Sequence, residues 1–468
     1  MISKKLALNI INVGLDTGAD FVEVYVEDTS VSSISIDNKV VEGVGASTTN
    51  GVGIRILKDL KSVYGYTNDL SKKNLLSLTE DLSKSFNSER IIEPVLKFKK
   101  IRVKENCKRE IPIASVPKNE IIALLKKASD VIFSHDKRIV RVQNVFSHTA
   151  SDIEIFNSKG NHIKNYREYA RIGLISVAAD AGKMETRFDG PGTQAGWEYF
   201  TKTINLEEVA KENARKLILM LEAKECPSGK FPVVIGNGWG GVIFHEACGH
   251  QLEATSVAKG LSVFSGKKDD FIASKIVSAY DDGTLFNEWG SINIDDEGNK
   301  PRKNQLIKNG KLTGYLIDNF NGRRMNEVGN GACRRQSYKY EPTSRMSNTY
   351  IAAGKSTPEE IIKATKLGIY AVSFGGGSVN PSTGDFNFGC SEAYIIKDGK
   401  ITEPIRGAAL VGNARDILMH IDMVGNDLDF GVGMCGSSSG SIPVNVGQPT
   451  IRVDEIVVGG RGGSIDEF

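Results

Sequence analysis

Two histidines five residues apart, with a carboxylate beside the first, stand near the middle of the chain in His245-Glu246-Ala247-Cys248-Gly249-His250. They are entered through Val233-Val234-Ile235-Gly236-Asn237-Gly238-Trp239-Gly240-Gly241, so an apolar run of strand character passes through a glycine-rich turn into an apolar segment of helical character. The familiar zinc-protease signature sets its histidines four apart on one helical face. A spacing of five rotates the second imidazole roughly 140° from the first on a regular helix of 3.6 residues per turn. One ion can be shared only if the helix departs from α geometry. A π-type turn, closed by i to i+5 bonds, restores a common face, and Gly249 lowers the cost of that departure. The spacing therefore predicts a distorted helix holding zinc through His245 and His250, with Glu246 as candidate base.

A chain of 468 residues exceeds one ordinary core and calls for two large domains. An apolar fraction of 40% and a charged fraction of 25% are those of a soluble globular protein. The formal net charge of +2 gives no reason to expect nucleic acid or an anionic membrane as partner. The first residues have a basic start, but Asn9 and Asn12 interrupt the apolar stretch and no small-residue cleavage site follows, so an amphipathic helix is expected rather than a signal peptide. No apolar segment approaches the roughly eighteen residues that span a bilayer. Six cysteines, at 107, 226, 248, 333, 390 and 435, form no close pairs and no disulfide framework, which implies a reducing, cytoplasmic location.

Helix is expected over 4–16, 71–87 and 118–133, and strands over 20–27, 30–36, 51–57 and 61–66 with Gly51 and Gly53 at bends. Antiparallel hairpins are expected between 138 and 180, because the connections are too short for helical crossovers. Residues 206–222 form an amphipathic helix with Asn205 as cap and Glu207-Glu208 in its first turn. Cys226-Pro227-Ser228-Gly229-Lys230 is a breaker cluster, which sets the boundary between domains 1–225 and 226–468. Beyond it the helix after His250 is expected to run on through 253–260. Further expectations are a strand at 291–294, an acidic turn at Asp295-Asp296-Glu297-Gly298, helices near 358–367 and 411–420, and a hairpin over 394–401 turning at Asp398-Gly399. The fold class is α+β: a mixed α/β-sheet domain, then a larger β-rich domain whose curved or barrel-like sheet carries the metal helix.

Catalytic zinc usually takes three protein ligands and leaves one position open. Glu253, Asp269, His420, Cys390 and Cys435 are candidates for the third. Cys435 lies in Gly431-Val432-Gly433-Met434-Cys435-Gly436, read as a flexible loop able to approach a metal, although most free cysteines are small buried apolar residues. His135, His148 and His162 are expected at the surface. Asp295-Asp296-Glu297-Gly298 reads as an acidic turn more readily than as a divalent-ion loop. Arg345 and Asn348 could hold a peptide backbone or satisfy buried carbonyls.

Over nearly its whole length the chain resembles the TldD branch of the TldD/PmbA metalloproteases. The resemblance is carried by Gly18-Ala19-Asp20, the His245–His250 element, Gly290-Ser291-Ile292-Asn293-Ile294-Asp295-Asp296-Glu297-Gly298, Arg345-Met346-Ser347-Asn348-Thr349-Tyr350, Ser391-Glu392-Ala393-Tyr394 and Met434-Cys435-Gly436. It implies a zinc site of His245, His250 and Cys435 with Glu246 as catalytic carboxylate. It further implies hydrolysis of unfolded or extended peptides, including leader removal, in a homodimer or a heterodimer with a PmbA-type subunit. Two stretches depart from the family pattern: Gly329-Asn330-Gly331-Ala332-Cys333-Arg334-Arg335, where Ala332 and Cys333 are inserted, and Ser437-Ser438-Ser439-Gly440.

A rival reading takes Gly236-Asn237-Gly238-Trp239-Gly240-Gly241 as a dinucleotide fingerprint between strand and helix. No acid-terminated strand follows about twenty residues later, and β and α do not alternate, so an oxidoreductase is the weaker reading. A zinc-containing scaffold that binds peptides without cleaving them is a third. Peptide substrate is expected to lie extended along a sheet edge or cleft.

Overall fold

The computed structural model describes residues 1–380 and 383–465. Its first layer grows from the alternation in Phe21-Val22-Glu23-Val24-Tyr25-Val26-Glu27, where successive side chains point to opposite faces. Val22, Val24 and Val26 pack with Ile54 and Ile56 beneath helices Lys4–Leu15 and Lys72–Ser83. Glu23, Tyr25 and Glu27 point the other way, yet they too are buried, because the second half of the chain covers that face.

The strands are longer than the sequence pattern implied. Phe21–Asp37, Val40–Lys58, Ile139–Asn157 and Asn161–Asp180 contain 17, 19, 19 and 20 residues. At about 3.3 Å per residue each runs roughly 60 Å. They pair antiparallel, as expected for 138–180, in an eight-stranded sheet. Gly51 is not a bend: the strand passes straight through it, and a Cβ there would stand 2.1 Å from the Tyr338 ring. Helix Leu206–Glu222 starts where expected, with the Asn205 side chain accepting from the backbone N–H groups of Glu207 and Glu208. It packs with Lys118–His135 on the far half of this sheet, over Phe146, Ile172 and Leu174.

In the second half, strands Gly229–Ile235, Ile451–Gly459, Ala409–Asn413, Asp385–Lys397 and Leu367–Val379 close into a five-stranded barrel. The hairpin turn at Asp398 and Gly399 is present, with φ of 50° and 72°. Beside the barrel lies a six-stranded sheet ordered Lys311–Leu312, Lys303–Lys308, Ala279–Asp282, Asn348–Ile351, Gly440–Gln448, Asp429–Ser437. Barrel and sheet share one apolar core. The α+β class holds, and the barrel-like sheet is a closed one. Among the described residues no helix is long and apolar enough to cross a membrane.

The segment 291–294 is not a strand. Its backbone is held by loop bonds instead, Ser291 N–H donating to Glu288 O at 3.1 Å and Ile292 N–H to Gly283 O at 3.1 Å. The acidic turn that follows is a turn, but it is buried. Arg167 meets Asp296 at 2.5 Å, Arg55 meets Glu297 at 2.7 Å and Glu23 at 3.2 Å, and Arg335 bonds both Glu23 and the Asp296 carbonyl. Asp295 accepts the N–H groups of Glu297 and Asn299 and so shapes the turn itself. The acidic turn therefore docks the second half of the chain onto arginines of the first sheet, and the Gly329–Arg335 stretch supplies the return contact through Arg335.

Two histidines expected at the surface are buried in the same layer. His148 pairs with Glu168 at 2.8 Å, under cover of Arg109, and His162 pairs with Glu154 at 2.9 Å while stacking on Phe156; His135 is exposed.

Removing one member of a buried ion pair strands its partner in a low dielectric. Arg55→Met, which leaves Glu23 and Glu297 without their shared cation, is expected to destabilise the protein by about 3–5 kcal/mol in urea unfolding. Lys84→Met, which breaks the exposed pair with Asp81, is expected to leave the midpoint in place.

Candidate metal centre

The barrel strand Gly229–Ile235 ends in the glycine turn, which enters one short helical turn, Val242–Phe244, and then a π turn over His245–Gly249. The expected distortion is therefore present. The His250 N–H donates to the His245 carbonyl, the i to i+5 bond that returns both imidazoles to one face. Gly249 is required by packing more than by backbone freedom, since its dihedrals are ordinary and a Cβ would stand 2.2 Å from Met346 Sδ. The π turn is thus pressed against the Asn348–Ile351 side of the six-stranded sheet.

Two expectations about neighbouring elements are corrected. The helix does not run on through 253–260: Glu253 is extended (φ −73°, ψ 127°), and only Ala254–Val257 is helical. The chain is drawn out there because Leu316 donates to Leu252 O and accepts from Ala254 N. Cys435 does not sit in a loop. It lies on strand Asp429–Ser437, opposite Ile442 in a hairpin with Gly440–Gln448, and Gly431 and Gly433 let that strand pass close against the Trp239 indole.

The hairpin carries the sulfur to the rings. Cys435 Sγ stands 3.2 Å from His245 Nε2 and 3.2 Å from His250 Nε2, and the ring planes lie at 87° with centroids 5.2 Å apart. Three donor atoms thus lie within 4.8 Å of one another, a group able to hold one metal ion. Of the remaining candidates, Asp269 and His420 are exposed, His420 pairing with Asp454, and Cys390 belongs to the barrel wall.

Glu253 sits behind the centre instead of in it. Its Oε1 is 3.2 Å from His250 Nδ1, on the far side of the ring from the sulfur, and 3.8 Å from Arg345 Nε. The sequence offered a signal for this, an acid three residues after His250, but not which side of the ring it would take. Glu246 stays partly exposed, its Oε2 3.8 Å from His250 Nε2, at the rim of the triangle. Arg345 and Asn348 are fully buried. Arg345 donates to the carbonyls of Cys435 (2.6 Å) and Gly440 (2.9 Å) and to Ser439 Oγ (2.8 Å). Asn348 donates to Asp282 O and Ser291 Oγ and accepts from Gly290 N. The departing Ser437–Gly440 stretch is therefore the hairpin turn that Arg345 clamps.

Charge follows the geometry. Burial pushes the Cys435 thiol up, but the His245 and His250 imidazoles outweigh it and hold the thiol down at about 4, so a thiolate faces the two rings. Burial works against a charged His250, yet Glu253 and Cys435 on its two sides hold it well above the ordinary histidine value. Cys248 points into the apolar core, where burial pushes its thiol above the ordinary value.

The glycine turn is packed closely against the protein's own backbone at two of its glycines. A Cβ on Gly241 would meet the Gly447 backbone at 2.6 Å, and one on Gly236 the Val372 carbonyl at 2.6 Å. The close approach those glycines permit is already taken by the protein's own strands.

A barrel and sheet that bring two imidazoles and a thiolate together beside a partly exposed carboxylate define an α+β protein with a candidate mononuclear metal centre. Comparison with known proteins makes the class specific. Models of the PmbA/TldA metallopeptidase match residues 22–86 (domain 1), 111–221 (central domain) and 228–460 (C-terminal domain). The chain is 34% identical to a metalloprotease TldD homolog of Buchnera aphidicola subsp. Acyrthosiphon pisum, covering 94% of this chain and 93% of that one. It is 33% identical to the corresponding Haemophilus influenzae protein, over 98% and 97%. A zinc metalloprotease TldD homolog of Saccharolobus solfataricus is 27% identical over 66% and 68%. The chain belongs to the TldD/PmbA metallopeptidase family. Its fold is shared with TldE from Thermococcus kodakarensis (TM-score 0.77, 17% identity, 97% and 99% covered). A Thermotoga maritima protein described as a modulator of DNA gyrase also shares it (TM-score 0.79, 20% identity, 97% and 100% covered).

The contact between Gly249 and Met346 gives a direct test of the packing argument. Gly249→Ala is expected to cost about 1–3 kcal/mol of stability by overpacking. Adding Met346→Ala is expected to make the double variant more stable than the sum of the two single losses, measured by thermal unfolding of all three.

Proposed function

We propose that this chain is a zinc-dependent peptidase acting on unfolded or extended peptides, with His245, His250 and Cys435 as metal ligands and Glu246 as general base. One observation carries the reading: three soft or borderline donors converge, with the partly exposed Glu246 carboxylate at their rim. Two imidazole nitrogens and a thiolate suit zinc, and three ligands leave a position open, as catalytic sites require. When bound, zinc would supply Lewis acidity and bring the pKa of water towards neutrality. Glu246 is placed to take a proton from water at the rim and return it to the leaving amine. Glu253, on His250 Nδ1, fixes the tautomer that presents Nε2 to the triangle, and Arg345 holds both Glu253 and the Cys435 carbonyl in place. Arg345 and Asn348 thus support the site from within the protein, through Arg345 Nη1 and Nη2 and Asn348 Nδ2, which donate to buried acceptors.

The names of the relatives support peptidase activity, and the likeness to TldE supports assembly with a PmbA-type subunit or with a second copy of this chain. The six cysteines are all free and five are buried, which suits a reducing, cytoplasmic location.

Glu246→Gln is expected to retain metal by elemental analysis and to lose hydrolysis of a disordered peptide, whereas His250→Ala loses both. Glu253→Gln is expected to lower metal affinity about 10- to 100-fold, measured by competition with a chelator. Hydrolysis by Glu246→Gln at the unsubstituted rate, or hydrolysis that survives chelation, contradicts the proposal.

A further inference from the structure

A cavity of about 640 Å³ lies between the long first sheet and the hairpin that carries Cys435. Met434, Ile442 and Pro443 form its wall on the hairpin side; Met434 precedes Cys435, and Ile442 is the residue paired with it. The cavity therefore lies against the hairpin that brings the sulfur to the histidines, although neither imidazole lines it.

Its charge is unbalanced. Arg167 and Arg335 reach the cavity but are matched by Asp296 and Glu23. Arg334, only 3% exposed, donates from Nη1 to the Met346 carbonyl at 2.8 Å and stands in no ion pair among the described residues. Arg171 donates to the carbonyls of Gly190 (3.0 Å) and Val432 (3.4 Å), again without a carboxylate partner among those residues. Burial holds both guanidinium groups below the ordinary arginine value; at Arg334 it outweighs the attraction of Tyr169 and Asp296, and at Arg171 no opposing charge among the described residues offsets it. Glu27, the carboxylate on the wall, is occupied by the Thr29 hydroxyl and the Tyr338 N–H. A buried charge without a partner is costly and is normally matched by some anion. Arginine suits a carboxylate in particular, through paired N–H donors.

Resting on the peptidase reading above, we propose that this cavity is a subsite for a carboxylate of the bound peptide, with Arg171 and Arg334 as the groups that recognise it. The carboxylate is either the chain terminus or an aspartate or glutamate side chain, and both present the same planar pair of oxygens.

The test uses the full-length Glu246→Gln protein loaded with zinc, so that binding is read without cleavage. Three fluorescein-labelled extended peptides are compared by anisotropy: one lacking acidic side chains as its free acid, the same peptide as its C-terminal amide, and that amide with one Gln replaced by Glu. A terminal-carboxylate site makes the free acid bind about tenfold or more tighter than the amide, and a side-chain site does the same for the Glu peptide. Arg171→Gln is expected to bring whichever ratio is raised close to one, and Arg334→Met to do so as well where it folds. Equal binding of all three peptides, or a preference that survives Arg171→Gln, overturns the inference. Cleavage of the three peptides by the unsubstituted protein at equal kcat/KM overturns the carboxylate site alone and leaves the peptidase reading standing. Absence of both binding and cleavage overturns the two together.

Discussion

A thiolate buried between two imidazoles is the constraint around which the second half of the chain is arranged. Cys435 is 3% exposed, and a sulfur at that depth keeps its charge only if cationic or polarisable groups stand against it. His245 and His250 meet that condition from a single π turn, at equal distances of 3.2 Å. An α-helical turn would present one ring and turn the other away, leaving the sulfur half-matched. The irregular backbone is thus what the charge requires.

Holding the sulfur there needs the hairpin to be fixed along its length. Trp239 lies against Gly431 and Gly433 at one end, the Trp289 indole N–H donates to the Gly433 carbonyl at 2.8 Å, and Arg345 grips the Cys435 carbonyl and the turn at Ser439 and Gly440. Each of these groups comes from a different segment. The sulfur is positioned by rigid strands, whereas Glu246 at the rim is 28% exposed and open to solvent.

Local signals in the sequence found what depends on local physics. The Asn205 cap, the Asp398-Gly399 hairpin turn and the π turn all follow from the residues that form them. The errors arose where a distant partner decides. Glu253 leaves the helix because Leu316 pairs with its neighbours, and 291–294 is no strand because Glu288 and Gly283 take its donors. His148 and His162 lie on strands whose polar pattern reads as exposed; the carboxylates that meet them, Glu168 and Glu154, come within reach, two positions off the directly paired residue, only once the 139–157 and 161–180 strands are paired. Cys435 could be favoured from its glycine-rich stretch but not settled on without the family resemblance, since nothing within that stretch points to residue 245. The acidic turn was legible as a turn, while its burial depends on arginines far away in the chain.

Those arginines tie the first sheet to the centre by contact. Arg335 holds Glu23 of the first sheet, its neighbour Arg334 holds the Met346 carbonyl, and Met346 fills the space that Gly249 leaves open behind His250. Ala332 and Cys333 lead directly into this run, and Cys333 joins the acidic turn, its carbonyl accepting from Asp296 N–H and its N–H donating to the Asp295 carboxylate, so this stretch is part of the docking surface. Such a run of packed groups is not by itself evidence that one end signals to the other. It does mean that the first sheet is structural support for the π turn: with the Glu23 side withdrawn, Arg334 and Arg335 lose their anchor, Met346 is free to shift, and the pressure that keeps Gly249 and its neighbouring histidine in place is released.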